Sequence, residues 1–224
     1  MSGRSVAGRL VLIAGATSAS GAAVARALTA AGATVVAVGT RHDALEALAA
    51  SVPGVTTHAC DLADLGAVTA LAATVHDAHG PVDGLVHLVG GWRGGGGLAG
   101  QSDEDWDFFD RGFRTLRNTT RVFNPDLVAS PAGRLVTVSS TAVDSPTVGG
   151  ANYAAAKAAA DTWVRAVAQG FRKDAPASAA AAIVVVRALD GLEDQLGDEV
   201  VRLWDAPPDT LNGTRIPLPH VSRG

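Results

Sequence analysis

Tyr153 and Lys157 stand four residues apart, and the serine pair Ser139-Ser140 precedes them, Ser140 lying thirteen residues before the tyrosine. On a helix, positions i and i+4 share a face, so a phenol and an ammonium at this spacing can point into one cleft. An isolated tyrosine, with a pKa near ~10, is a poor proton donor or acceptor at neutral pH. A neighbouring cation favours the phenolate, and a three-unit depression would correspond to roughly 4 kcal/mol. A tyrosine tuned in this way can exchange a proton with a carbonyl or alcohol oxygen. Two surface residues that are merely helical neighbours would show the same spacing, so the pair acquires meaning only beside a binding cleft.

The N-terminal segment offers such a cleft. Arg9 to Ala14 (RLVLIA) is a short apolar run, the turn Gly15-Ala-Thr-Ser-Ala-Ser-Gly21 follows it directly, and an alanine-rich amphipathic segment covers 22–31. Strand, glycine turn and helix in that order form the context in which a backbone cradles a dinucleotide pyrophosphate. Glycine lets the chain approach the phosphates, and the helix start supplies unpaired N–H groups and a positive dipole end.

The elements that must position these groups alternate along the whole chain. Apolar runs at 9–14, 33–39, 55–59, 84–89, 133–139, 181–187 and 214–218 read as strands, and alanine-rich segments at 22–31, 42–50, 64–79, 103–124, 152–172 and 196–205 read as helices. Alternation of this kind predicts βαβ units, hence an α/β Rossmann-type doubly wound parallel sheet of about seven strands with helices on both faces. Ligands of such sheets bind at the carboxyl ends of the strands. The glycine turn, Asp61, Gly90 and Ser140 all follow predicted strand ends, so one sheet edge collects them. The 224 residues fit a single domain over 1–224, with 190–224 as a divergent C-terminal region.

Together the glycine turn and the Ser-Tyr-Lys set resemble the short-chain dehydrogenase/reductase family over about residues 8–187. That family's first turn reads T-G-x-x-x-G-x-G, and here the chain has Ala14-Gly15-Ala16-Thr17-Ser18-Ala19-Ser20-Gly21. The resemblance implies an NADP(H)-dependent oxidoreductase that interconverts a carbonyl and an alcohol. Ser140 would bind and polarise the substrate oxygen, Tyr153 would be the general acid/base, and Lys157 would lower the tyrosine pKa. Cofactor contacts would come from Gly15, Thr17, Ser18, Ala19, Ser20 and Gly21, from Gly90, and from Tyr153 and Lys157 at the nicotinamide ribose. No acidic residue ends the second strand; Thr40 and Arg41 stand there instead and suit a 2′-phosphate, which favours NADP(H) with NAD(H) as the alternative. Asp61 with Leu62 matches the family's adenine contact, although an aspartate beginning a helix is an equally simple reading of it.

Several positions depart from the family. Where relatives read N-N-A-G after the fourth strand, this chain has His87-Leu88-Val89-Gly90. The asparagine that completes the family's tetrad falls near Gly112 or Phe113, and Asn118 comes too late to replace it. Between the sixth strand and the last helix only a short acidic segment, Asp190 to Glu199, stands where relatives build a substrate lid. Gly91, Trp92 and Arg93 enter a four-glycine stretch that suggests a mobile loop carrying substrate contacts. These departures keep a second reading open, a non-catalytic nucleotide-binding scaffold or sensor; a sugar-nucleotide epimerase is excluded by length.

Bulk properties narrow the partners. Hydrophobic residues make up 47% and aromatics 4%, so the core is built from Ala, Val and Leu, and a net charge of −4 argues against nucleic acid. A single cysteine, Cys60, excludes an internal disulfide and fits a reducing compartment. No apolar run of membrane length or leader pattern stands out, so a cytoplasmic location with no membrane partner is expected, and no metal. The resemblance implies a homodimer or homotetramer assembled through 103–124 and 152–172, acting on a small-molecule carbonyl or alcohol.

Overall fold

A computed structural model describes residues 5–218; positions 219–224 of the C-terminal region lie outside the described residues. Seven strands alternate with helices: β1 Leu10–Ala14, α1 Ala19–Ala30, β2 Thr34–Gly39, α2 His42–Ser51, β3 Thr56–Ala59, α3 Leu65–His79, β4 Gly84–His87, α4 Asp103–Ala129, β5 Arg134–Ser140, α5 Ala151–Asp174, β6 Ala180–Val186, α6 Glu193–Arg202, α7 Pro208–Leu211 and β7 Thr214–Pro217. The sheet order is β3-β2-β1-β4-β5-β6-β7, with every pairing parallel. Strand order reverses between β1 and β4, which opens a crevice at their carboxyl ends.

Alternation along the strands divides the core in two. Val11 and Ile13 of β1 join Val24 and Leu28 of α1 and Leu196 and Val200 of α6 on one face. Leu10, Leu12 and Ala14 turn to the other face, against Val68 and Val75 of α3, Leu116 and Phe123 of α4 and Phe171 of α5. Both faces of the central strands are buried, which is why they read as continuous apolar runs.

The helix boundaries show how tertiary contacts adjust local signals. Helix α1 begins at Ala19 instead of 22, because Ser18 caps it with its Oγ accepting from the Gly21 N–H at 3.0 Å. Helix α4 was expected to stop before Pro125, yet it continues to Ala129. Asp126 anchors that last turn: its carboxylate takes the Val82 N–H at 3.1 Å and pairs with His76 at 2.7 Å, while Leu127 is buried. Helix α6 starts and ends about three residues earlier than the apolar pattern suggested, leaving Trp204 beyond it. The fully buried indole packs on β4 at Gly84, where a Cβ would approach Trp204 Cζ2 to 2.5 Å. Among the described residues no helix is long and apolar enough to cross a membrane.

Candidate active site

Tyr153 and Lys157 lie on the first two turns of α5, and Ser140 closes β5 beside them. The polypeptide between them forms two short 3-10 turns, Thr141–Val143 and Val148–Gly150, which carry the chain from strand end to helix start. Tyr153 and Lys157 line a cavity of about 520 Å³ together with Ser18 and Ser20 of the glycine turn, Gly90, Gly91 and Trp92 after β4, and Arg187 to Asp190 after β6. A second chamber of about 340 Å³ adjoins it through Ser18, Leu88, Val89 and Gly90, and is lined by Gly15, Thr17, Thr40, Arg41, Cys60, Asp61 and Leu62. Most of the expected cofactor groups, with Tyr153 and Lys157, thus lie along one continuous crevice at the switch point; Ser140 is buried beside Tyr153, and Ser139 is the serine on the cavity wall. Ala19 and Gly21 belong to the first turn of α1, beneath its Ser18 cap.

Local backbone geometry fits the cradle. Gly15 has φ +86°, and a Cβ there would come within 2.8 Å of the Val89 nitrogen, so both conformation and close approach require glycine. Arg41, at the start of α2, makes no capping bond with its side chain; its guanidinium donates to the Thr17 carbonyl of the glycine turn. A cation is therefore held between the first and second strand ends, where a ribose phosphate beside the turn would meet it. Asp61 is more heavily engaged than anticipated: Oδ1 accepts from the Ala63 N–H at 3.0 Å, and Oδ2 pairs with Arg111 of α4 at 2.7 Å. The cap of α3 is Asp64, which separates the two aspartates' roles.

At the catalytic end, Lys157 Nζ donates to the Val138 carbonyl at 2.9 Å and lies 5.9 Å from the Tyr153 ring centroid. The lysine's hydrogen bond thus goes to the backbone. Burial pushes the Tyr153 pKa up, and the neighbouring Ser140 hydroxyl opposes it. Burial pulls Lys157 down, with Asp161 pulling it up. The phenol accordingly stays protonated at neutral pH in the ligand-free cleft, ready to act as an acid. Ser140 Oγ also accepts from the Ala142 N–H at 3.1 Å, which fixes its rotamer. Phe109 of α4 packs on Tyr153 with centroids 5.8 Å apart.

His87 occupies the departed asparagine position, buried between β4 and α4 on the wall of the Tyr153–Lys157 cavity. Thr115 Oγ1 donates to the Gly112 carbonyl at 2.7 Å, so its single proton is used and His87 Nε2–H must donate the 2.9 Å bond between the two. Desolvation, helped by the nearby Lys157 charge, holds the His87 pKa at about 3, and the imidazole is neutral. Asn118 bonds away from the site, its Nδ2 donating to the Leu62 carbonyl at 3.1 Å. It braces Leu62 on the wall of the second chamber.

The glycine stretch is tied down, contrary to expectation. Gln101 Nε2 donates to the Gly95, Gly97 and Gly149 carbonyls at 3.1, 3.2 and 3.1 Å, and Oε1 accepts from the Asn152 N–H at 3.0 Å. The Gly95 N–H donates to the Gly149 carbonyl at 2.8 Å. Trp92, 68% exposed, stands on the cleft wall. Arg93 is drawn off towards α4, lying 3.5 Å from Glu104, 3.4 Å from Asp105, and 4.2 Å above the Phe108 ring. Its guanidinium is thus consumed in fixing the loop. No signal in the sequence distinguished it from Trp92. Gln101, which sequence reasoning passed over, is the residue that organises the segment.

Comparison with known proteins agrees with this geometry. The profile of the short chain dehydrogenase family matches residues 9–184. The chain is 32% identical over 165 residues to 2,3-dihydro-2,3-dihydroxybenzoate dehydrogenase of Bacillus subtilis, a match covering 71% of this chain and 63% of that protein. It is 31% identical over 167 residues to NADP-dependent 3-hydroxy acid dehydrogenase of Salmonella typhi, covering 74% and 66%. These matches therefore span slightly less than two thirds of the relatives' own length. Among solved structures, a metagenomic short-chain oxidoreductase in complex with NADP superposes with a TM-score of 0.80 at 28% identity, over 95% of this chain and 99% of that one. With a matching profile over most of its length and relatives above 30% identity, the chain belongs to the short chain dehydrogenase family.

Proposed function

We propose that this protein is an NADP(H)-dependent oxidoreductase that interconverts a small-molecule carbonyl and its alcohol. The observation that carries this reading is that Tyr153 and Lys157 line the crevice that also holds the glycine turn and, in its adjoining chamber, Arg41, with the buried Ser140 hydroxyl beside the phenol. The residues suit a dinucleotide. Gly15 leaves room for close backbone approach, the start of α1 offers N–H groups to a pyrophosphate, and Arg41 supplies a cation for a 2′-phosphate. A structural neighbour in complex with NADP and an NADP-dependent relative support the same preference. Asp61 would serve the adenine end only through the geometry it now shares with Arg111.

In the reductive direction the bound cofactor supplies the hydride. Ser140 holds the carbonyl oxygen through its hydroxyl and polarises it. Tyr153 then passes its phenolic proton to that oxygen as charge develops, which completes the alcohol. Lys157, beside the phenol, offsets the negative charge left on the tyrosine. Trp92 and the short segment 187–192 between β6 and α6 border the substrate end, and so brief a connection leaves that end open. Copies would associate through α4 and α5, as the family resemblance suggests.

A thermal-shift titration with NADPH and NADH in parallel tests the cofactor reading. A ligand at about 100 times its Kd stabilises by about 2.7 kcal/mol, which at this chain length raises Tm by several degrees. A rise with NADPH at concentrations where NADH has little effect is expected. The reverse order would overturn Arg41 as the phosphate reader, and no response to either would favour a scaffold in place of an enzyme.

A further inference from the structure

Asp161 follows Lys157 by one turn of α5 and so shares its face, as Lys157 does with Tyr153. An aspartate in an alanine-rich helix is ordinarily solvent-facing, but this one is 3% exposed. Arg215 of β7 reaches it from below, with Nε 3.2 Å from Oδ2. The same guanidinium donates through Nη1 to both oxygens of Asp144, at 2.6 and 2.8 Å, in the turn that follows Ser140. Helix α5, strand β7 and, through Arg215, the turn after β5 therefore meet at a carboxylate that the proposed reaction does not use.

Lys157 explains its presence. The ammonium is held against the cleft wall, and its hydrogen bond goes to a neutral acceptor, the Val138 carbonyl. A charge removed from water without a counter-charge gives up its proton. The titratable and charged groups around it are Tyr153 and Asp161 on its own helix, His87 on β4, Arg215 on β7, Asp144 beyond Arg215, and Arg165 one turn past Asp161. His87 is neutral, Arg215 and Arg165 are cations, and Asp144 lies on the far side of Arg215. Asp161 is the carboxylate on the lysine's own helix face, one turn away, and it faces both Arg215 and the ammonium.

We propose that Asp161 is the internal counter-charge of Lys157, a positioning residue that keeps the catalytic lysine protonated while Arg215 and Asp144 hold the carboxylate in place. The inference rests on the reading of Lys157 as part of the active site. It also gives the C-terminal strand a role at the chemical centre, through Arg215. The direction of the Lys157 titration agrees, since burial lowers it and Asp161 opposes that fall. Burial also raises Asp161, and the Ser139 hydroxyl with the Arg215, Lys157 and Arg165 charges opposes that rise. A salt bridge that only fastened β7 to α5 would leave the lysine's protonation untouched.

Lys157 and Lys173 are the two lysines of the chain, and Lys173 is exposed, so ¹³Cε-lysine labelling gives one site signal and one internal reference. In the unaltered protein the Lys157 signal should remain that of an ammonium up to at least about pH 8. In Asp161→Asn its midpoint should fall by about one pH unit or more while Lys173 stays put, and Asp161→Glu should restore it. An unchanged Lys157 midpoint in Asp161→Asn overturns the proposal. Should that variant not fold, the unaltered protein decides: loss of the ammonium below about pH 7 sinks the idea, and retention to pH 8 supports it. Turnover of Tyr153→Phe, measured alongside, separates the two readings. A shifted lysine with a fully active Tyr153→Phe would preserve the counter-charge and discard the catalytic assignment; an unshifted lysine with an inactive Tyr153→Phe would do the opposite.

Discussion

Tyr153 is the chain's single tyrosine, and the proton transfer of the proposed chemistry passes through its oxygen. Burial raises its pKa, with Ser140 as the counterweight, so the ligand-free protein carries a protonated phenol. Tyr153→Phe removes the hydroxyl while keeping the ring against Phe109, and turnover should drop by about 10²-fold or more with little change in NADPH affinity. Steady-state reduction of a panel of aldehydes and ketones checks it; activity within a few-fold of the parent would remove Tyr153 from the reaction. This residue and Lys157 were legible in the sequence because i, i+4 spacing is a local property of a helix. The partners that tune them were not. Asp161 stands one turn from Lys157, but its burial against Arg215 follows only from the sheet order, which brings β7 next to β6 and under α5. Arg93 shows the converse failure, since proximity in sequence to Trp92 did not reveal the pull of Glu104 and Asp105.

Among the elements, strands were the easiest to read, because both faces of a central parallel strand are buried and the apolar runs are uninterrupted. Ends of helices were harder. Ser18 capping moved α1 forward, and Asp126 carried α4 through a proline that would ordinarily end it. Composition misled most at the glycine stretch after β4, where four consecutive glycines suggested mobility. A single amide, Gln101, spans the gap to the turn before α5 and satisfies carbonyls on both sides. Net hydrogen bonds of this kind contribute about 0.5–1.5 kcal/mol each, so their joint loss is worth roughly a tenfold change in local opening or more. Gln101→Ala should therefore raise amide hydrogen exchange across residues 91–101 by about tenfold, and leave exchange in β1, β4 and β5 unchanged. Identical exchange in the two proteins would mean that Trp92 is held by packing alone, and that the amide staple is incidental to the cleft wall.

At the scale of the whole molecule, the buried His87 couples the altered strand end to global stability. Unfolded, this imidazole titrates near about 6.5; in the native protein, desolvation and the Lys157 charge hold it at about 3. Above pH 6.5 neither state binds the proton, so the neutral histidine costs nothing. As pH falls below that point the unfolded chain takes up a proton that the native protein refuses, and stability declines until the pH reaches the native value. The loss from this one group is about 2 kcal/mol by pH 5, which for a chain of this size lowers Tm by about 4–8 °C. Carboxylates add their own acid sensitivity, and a variant without the titrating ring isolates the histidine's share. His87→Gln places its amide nitrogen near the Nε2 position, where it can donate to Thr115, and carries no ionisable group, so its Tm should fall by several degrees less than that of the parent between pH 6.5 and 5. Thermal melts of the two proteins across this window are the measurement. Parallel curves would show that the native imidazole takes up a proton about as readily as the unfolded one, and that the buried site between β4 and α4 admits water or a charge that the Thr115 hydrogen bond alone does not account for.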